Sequence, residues 1–464
     1  VSNATAIAYG SFCHHKAGMT ALYFHNSLSR RRELFTPIDP QNVRMYVCGP
    51  TVYDLPHLGN LRSNMVFDVV ARLLRTLYPR VTYVRNITDV DDKINARAAA
   101  EGVSIAEITR RTTTDFHADN AAVGNLPPDV EPRATGHIAD MIGMIAALLA
   151  GGHAYQAEGH VLFAVASFAE YGLLSGHLPQ DLLAGARVEV ADYKRAPGDF
   201  VLWKPSAGTE PGWESPWGFG RPGWHIECSA MARRYLGESF DIHGGGSDLL
   251  FPHHENERAQ SLCAAPGSEF AKVWLHNGML LVNGAKMSKS LGNFFTLRDI
   301  LARAPVEAVR LLVLRTHYRA ELDFSDAGLA DARHEMDRFY RALQKTPAGE
   351  ADIPADVLAA LCDDLNTPAA LTAMRALADR AMAGDAAAAS ALKQAGALLG
   401  LLQSEPAAWF RGGGEDAEID ELVAARVAAR AARDFKRADM IRAQIEARGV
   451  VLEDTGGVTS WRRK

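Results

Sequence analysis

Cysteine is scarce in this chain: Cys13, Cys48, Cys228, Cys263 and Cys362 are all that 464 residues contain. An odd number spread so widely is no disulfide framework and suits a reducing cytosol, so the expected location is cytoplasmic. Also missing is any apolar run near the roughly 20 uninterrupted residues that a membrane span needs, and no membrane partner is expected. Nor is there a basic excess. A net charge of −6 argues against a surface that is basic all over and leaves room for a local basic face. The first residues lack the basic-then-apolar pattern of a secretion signal. Residues 1–18 mix Ser, Ala and Gly with the pair His14-His15, and are expected to form a disordered extension, with Met19 a natural start. What is present is 48% hydrophobic and 22% charged residues, the balance of a globular protein, and a length that calls for about three domains.

The stretch Met45 to Asn60, MYVCGPTVYDLPHLGN, organises the rest. Met45, Tyr46 and Val47 are β-formers, and Cys48-Gly49-Pro50 breaks the strand into a loop. Loops at the carboxyl ends of strands are where open α/β sheets bind ligands. His57-Leu58-Gly59-Asn60 follows, then Asn64 to Leu77 with Val66, Val69, Val70, Leu73, Leu74 and Leu77 at helical spacing. A thiol, a histidine and a glycine turn thus gather near a helix N-terminus, whose free N–H groups suit phosphate. Taken alone, the stretch also fits an ordinary strand-turn-helix unit around a core cysteine.

A second strand is expected over residues 80–89 and a helix over 90–100, which with the first pair predicts a doubly wound parallel sheet. The cluster Asn86 to Lys93 is rich in aspartate but lacks the glycine and terminal glutamate of a calcium loop, and Thr88 is better placed to touch a small substrate. From Leu126-Pro127-Pro128 to Gly223 the chain reads as an insertion, with a helix over Ile138 to Leu149 and sheet-type segments resuming at Trp224. Then come Trp224-His225-Ile226-Glu227-Cys228, the run Phe240 to Asp248 with three glycines, and Pro252 to Glu257. His253 and Glu257 share a helical face. With Cys48 and Cys228 they make a four-ligand set of zinc type, although the spacing is no zinc finger and two core cysteines beside a solvated helix fit as well. Gly245 and its neighbours permit close approach of a nucleotide, with Asp248 free to accept from ribose hydroxyls, or form only a tight loop. Lys286 and Lys289 lie three apart in a Gly- and Ser-flanked loop and can act as mobile charges on a polyphosphate.

Beyond Leu297 helical periodicity dominates, with Asp299 to Thr316, Ala327 to Gln344 and an Ala-rich Val357 to Leu402 reading as an antiparallel bundle. After Gly412-Gly413-Gly414 a last domain carries two helices and two short strands. Its Arg426, Arg430, Arg433, Lys436, Arg437 and Arg442 around Phe435 suit phosphate contact with base stacking, or merely a solvated helix pair.

These motifs together resemble the cysteinyl-tRNA synthetases of the class I aminoacyl-tRNA synthetases, from about Leu22 to Lys464. His57-Leu58-Gly59-Asn60 is similar to the first class I signature, with Asn60 where many members have a second histidine, and Lys286 to Ser290 matches the second. Cys48 to Asp54, Gly223 to Cys228 and Phe251 to Glu257 mark the cysteine branch. The resemblance implies zinc on Cys48, Cys228, His253 and Glu257, and a substrate pocket of Gly49, Thr88, Trp224 and His243. It further implies ATP with Mg²⁺ acted on by His57, Asn60, Gly245, Asp248, Lys286 and Lys289, and tRNA(Cys) held in part by Arg430 and Phe435. The implied reaction forms cysteinyl-adenylate from L-cysteine and ATP, then cysteinyl-tRNA. The implied plan is a Rossmann-like α/β catalytic domain over 19–125 and 224–296 with an insertion at 126–223, a helical tRNA-contacting region at 297–403, a linker at 404–416, and a mixed α/β anticodon-binding domain at 417–464. A monomer is expected. Two rivals stay open: a cysteine ligase acting on an amino sugar, whose relatives lack the last domain, and a zinc-dependent RNA-binding protein without catalysis, against which His57, Lys286 and Lys289 stand.

Overall fold

A computed structural model describes residues 20–177, 192–208, 210–287, 293–411, 417–455 and 458–463. The extension at 1–18, Lys289 and the triple glycine at 412–414 therefore lie outside the described residues. Two compact units emerge, one of residues 1–298, 316–324 and 358–368, the other of 299–315, 325–357 and 369–464.

The first unit is built on a four-stranded sheet in the order Phe270–Asn277, Ser239–Gly246, Val43–Val47, Val81–Arg85, every pair parallel. Val43, Met45, Tyr46 and Val47 are fully buried and only Arg44 between them is half-buried, so this parallel strand is covered on both faces. The order reverses between Val43–Val47 and Ser239–Gly246, and such a switch point opens a crevice beyond the strand ends. Helix Leu58–Leu77 buries Leu61, Met65, Val66, Val69, Val70, Leu73 and Leu74. Within it Arg62 is also buried, donating to the carbonyls of Gly278 and Met279 at 2.7 and 2.6 Å and of Tyr318 and Ala320 at 3.3 and 2.5 Å. Four acceptors around one guanidinium pin this helix to the segments that lead into strand Leu280–Val282 and its parallel neighbour Leu322–Phe324.

The expected resumption of sheet at Trp224 is corrected: Trp224–Leu236 is a helix, and the strand begins only at Ser239. Ile226, Ala230 and Met231 recur at i, i+4 and i+5 and are buried, so tertiary packing overrides the weak helix propensity of Trp, His, Ile and Cys. Cys228 is consequently on a helix and not at a strand end. The aspartates after the second strand have local uses. Asp91 caps helix Asp92–Glu101, Asp89 accepts from the Thr135 amide and hydroxyl at 2.9 and 2.7 Å, and Asp92 pairs with Lys204 and the buried Arg221, each at 2.9 Å.

The stretch 126–223 contains helix Ile138–Ala150 and an antiparallel sheet of Ala154–Ala157, His160–Phe163, Phe200–Pro205 and Gly220–Pro222. It is no detached insertion, because Ile145, Phe163 and Trp203 share one core with Met231, Phe240 and Trp274.

In the second unit, the helix expected over 299–316 is interrupted at Pro305, which has no N–H to continue the ladder, and Val306–Leu314 follows. Asp326–Lys345, Thr367–Met382 and Ala386–Leu399 supply further helices. Within the stretch expected as linker, Pro406–Phe410 is helical and Trp409 stacks on Tyr340 with centroids 4.6 Å apart. The last domain has helices Ala417–Ala431 and Phe435–Ala447 and an antiparallel pair Val450–Thr455 and Val458–Arg463, around Ile419, Ile441, Ile445 and Trp461.

Candidate functional site

At the switch point the chain gathers sulfur, imidazole and carboxylate. Cys48 follows the strand Val43–Val47, Cys228 is one turn into its helix, His253 lies in the short irregular turn Leu250–His254, and Glu257 lies in the first turn of helix Glu255–Ala264. Their ligand atoms all lie within 4.8 Å of one another. The Cys48 thiol donates to Glu257 Oε1 at 3.2 Å, and His253 Nε2 lies 3.0 Å from the same oxygen. A tetrahedron with bonds of roughly 2.0–2.3 Å has edges of about 3.3–3.8 Å, so the spacing is that of a cage closing on an ion. Cys228, His253 and Glu257 are buried and Cys48 is half-buried. Two thiols, one imidazole and one carboxylate, taken out of water with mutual repulsion in their anionic forms, fit a borderline divalent cation such as Zn²⁺.

The protonation pattern without an ion fits that reading. Burial would lower His253, yet the Glu257 carboxylate and the Cys228 sulfur together outweigh it and push the imidazole up to about 10. The hydrogen bond from Cys48 brings Cys228 down to about 6, while burial drives Cys48 up. Behind the cage, His225 Nδ1 is 2.9 Å from His253 Nδ1 and fixes that ring, and burial lowers His225 to about 3. Trp224, 39% exposed, stacks on the other side of His253 with centroids 4.3 Å apart. His243 is fully buried, stacked on Tyr46 at 5.4 Å, with Nε2 3.7 Å from the Cys48 sulfur.

The remaining pocket residues meet around Asn86, which the sequence reading passed over. Gly49 donates its N–H to Asn86 Oδ1 at 2.8 Å, the Asn86 amide donates to Thr88 Oγ1 at 3.2 Å, and that hydroxyl donates to Glu227 Oε2 at 3.0 Å. Burial drives the Glu227 carboxyl well up. Asn86 opens the aspartate-rich cluster and Glu227 lies inside the Trp224 to Cys228 motif, and nothing local distinguished either from a surface residue.

His57 caps helix Leu58–Leu77 reciprocally with Asn60: the Asn60 N–H donates to His57 Nδ1 at 3.3 Å and the His57 N–H to Asn60 Oδ1 at 3.2 Å. Asn60 thus holds the His57 ring. The His57 backbone bridges to Thr296, and a Cβ on Gly59 would sit 3.0 Å from the His57 ring and 3.7 Å from Met287 Cε, so the glycine turn and the lysine loop's flanks are neighbours. Lys286 is exposed; Lys289 lies outside the described residues. The glycines have packing roles of their own. A Cβ on Gly245 would meet His254 at 2.8 Å and one on Gly244 would meet Phe67 at 2.2 Å, while Asp248 is exposed beyond the strand end. In the last domain Phe435 is 61% exposed, Arg430 reaches Asp454 at 2.7 Å, and Arg426 is buried against the same carboxylate at 2.8 Å. Arg426 therefore belongs to the domain's structure and not to a basic face.

Comparison with known proteins bears on all of this. Residues 34–334 match the family described as tRNA synthetases class I (C) catalytic domain, and residues 413–462 match the cysteinyl-tRNA ligase anticodon binding domain. The chain is 64% identical over 448 residues to the cysteine–tRNA ligase of Acidiphilium cryptum, covering 96% of this chain and all of that one. It is 62% identical to that of Gluconobacter oxydans, over 95% of this chain and 98% of the relative. Among solved structures, the fold is similar to Mycobacterium tuberculosis methionyl-tRNA synthetase in complex with methionyl-adenylate. That match has a TM-score of 0.51 at 17% identity and covers 80% of this chain and 83% of the other. The Agrobacterium radiobacter K84 LeuRS in a ternary complex with tRNA and LeuAMS gives a TM-score of 0.57 at 12% identity, over 79% and 83% of the two chains. With both family matches and near full-length identity of this order, the chain belongs to the cysteine–tRNA ligases, within the class I aminoacyl-tRNA synthetases.

Proposed function

We propose that Cys48, Cys228, His253 and Glu257 hold one Zn²⁺ at the base of the amino-acid pocket of this cysteine–tRNA ligase, and that the chain works as a cytoplasmic monomer. The reaction is that of the family: L-cysteine and ATP give cysteinyl-adenylate and pyrophosphate, and the cysteinyl group passes to the 3'-terminal adenosine of tRNA(Cys). The observation that carries the metal assignment is the buried four-donor cage at the sheet's switch point. When bound, such an ion prefers a thiolate over a neutral hydroxyl and so separates cysteine from serine, which shape alone does poorly.

The protein's own groups divide the remaining work. Trp224 and His225 clamp the His253 ring from two sides, and Gly49 and Asn86 fix the loop that carries Cys48. Thr88 gives its proton to Glu227 and accepts from Asn86, which leaves one lone pair for a donor such as the substrate ammonium. The cysteine carboxylate attacks the α-phosphorus, and the bond to pyrophosphate breaks. No side-chain nucleophile is needed. His57, held by Asn60, together with Lys286 and Lys289, stabilises charge on the phosphates, and Mg²⁺ accompanies ATP as part of the substrate. Asp248 accepts from the ribose, beside Gly245. Phe435 and Arg430 lie on the face that meets the anticodon arm. Metal content per chain, measured together with ATP–pyrophosphate exchange on cysteine and on serine, tests the assignment. One zinc per chain and exchange on cysteine alone are expected; a metal-free chain that still rejects serine contradicts it.

A further inference from the structure

Two side chains at the cage, His243 and His254, belong to no ligand set above, yet both face it. His254 is fully buried, and its Nε2 has no hydrogen-bond partner, although it lies 4.0 Å from Glu257 Oε1. The ring's direction is set from behind: His254 Nδ1 is 2.7 Å from His276 Nε2, and His276 Nδ1 is 2.8 Å from Ser27 Oγ. Such a relay is what holds a ligating imidazole with its other nitrogen toward an ion. His243 Nε2 lies 3.7 Å from the Cys48 sulfur and 3.4 Å from Glu257 Oε2. Cys48, His243, His254 and Glu257 thus form a second quartet whose ligand atoms all fall within 4.8 Å of one another. The separations of 3.2 Å for Cys48 to Glu257, 3.4 Å, 3.7 Å and 4.0 Å bracket the edges of about 3.3–3.8 Å of a tetrahedral site.

We propose that the cage has a second coordination position, made by Cys48, His243, His254 and Glu257, that takes a borderline divalent transition ion in place of the first. The two positions share Cys48 and Glu257, so one ion occupies one or the other. They differ in chemistry. The first offers two sulfurs and one imidazole and suits Zn²⁺ and its spectroscopic stand-in Co²⁺; the second offers one sulfur and two imidazoles and suits an ion such as Ni²⁺, for which nitrogen donors compete better. An ion in the second position engages His243 and leaves Cys228 and His253 without metal, so the identity of the ion decides which groups line the amino-acid pocket.

The inference rests on the metal assignment above, and the test separates the two. The full chain is stripped of metal and loaded with Co²⁺, with binding and ligand type read by metal analysis, by the thiolate-to-cobalt absorption band and by X-ray absorption. Wild type is expected to hold one Co²⁺ with two sulfurs; failure of wild type to bind overturns the assignment itself. Cys228→Ser is expected still to hold one Co²⁺ per chain, now with one sulfur, two imidazoles and about half the thiolate band. Adding His254→Gln to that variant is expected to lower cobalt affinity by at least about tenfold, into the range by which ligand-shell losses weaken metal sites. A folded Cys228→Ser chain that holds no cobalt, or one whose cobalt is indifferent to His254→Gln, overturns the second position. His253→Gln removes the other ligand unique to the first position and serves the same test if Cys228→Ser does not fold.

Discussion

Gly49→Ala is the sharpest single perturbation of the pocket. A Cβ at residue 49 would stand 1.6 Å from Asn86 O and 2.7 Å from Asn86 C, both backbone atoms at a strand end, so no side chain can swing aside. Reaching a contact near 3.0 Å requires one backbone to retreat by about 1.4 Å (3.0 − 1.6). That movement breaks the 2.8 Å bond from the Gly49 N–H to Asn86 and displaces the neighbouring Cys48, whose own N–H donates to Gly244 O at 3.1 Å. Overpacking of this kind costs about 1–3 kcal/mol of stability. The functional loss should be larger in proportion, because metal bonds tolerate only about 0.2 Å and a misplacement of about 1 Å costs on the order of 10²-fold in rate. Purified Gly49→Ala should therefore carry less than one zinc per chain and lose about 10²-fold in kcat/KM for cysteine-dependent ATP–pyrophosphate exchange, about 2.7 kcal/mol. Full zinc with exchange within a few-fold of wild type would refute the reasoning.

Other groups give separable outcomes. Lys289→Ala should lower kcat for adenylate formation by about 10²–10³ with little change in cysteine binding, and wild-type exchange would remove the lysine from its assigned role. Asn60→Ala takes away half of a reciprocal cap, which should loosen the first turn of helix Leu58–Leu77 by about 0.5–2 kcal/mol; faster amide hydrogen exchange at residues 60–62 should accompany slower adenylate formation, and an unchanged pair of readings would show that His57 needs no such support. Phe435→Ala alters a side chain that is 61% exposed, so folding should be untouched while KM for tRNA rises several-fold and ATP–pyrophosphate exchange stays constant; equal loss of both activities would make the domain's role structural.

The parallel sheet was legible because its strands are short apolar runs ended by glycine and polar clusters, whereas the switch point depends on the order of the strands, which only the fold reveals. Helix Trp224–Leu236 was not legible, since its opening residues favour strand locally and only burial against the rest of the core makes them helical. The four-donor set could be named from residue types, but its closure depends on separate elements packing together, which spacing along a chain does not encode. Asn86, Glu227 and the His254–His276–Ser27 relay escaped for the same reason: a buried polar group is defined by its partners. At 244 and 245 the missing side chains also make room for Phe67 and His254, a packing use of glycine that the sequence does not separate from room for a ligand.

X-ray absorption at the zinc edge, recorded on the full-length chain alone, with cysteine and with serine, tests the central claim most directly. The account predicts one zinc per chain with two sulfur neighbours, a third sulfur at roughly 2.3 Å when cysteine is added, and no change with serine. A zinc whose sulfur count stays the same on adding saturating cysteine would contradict it.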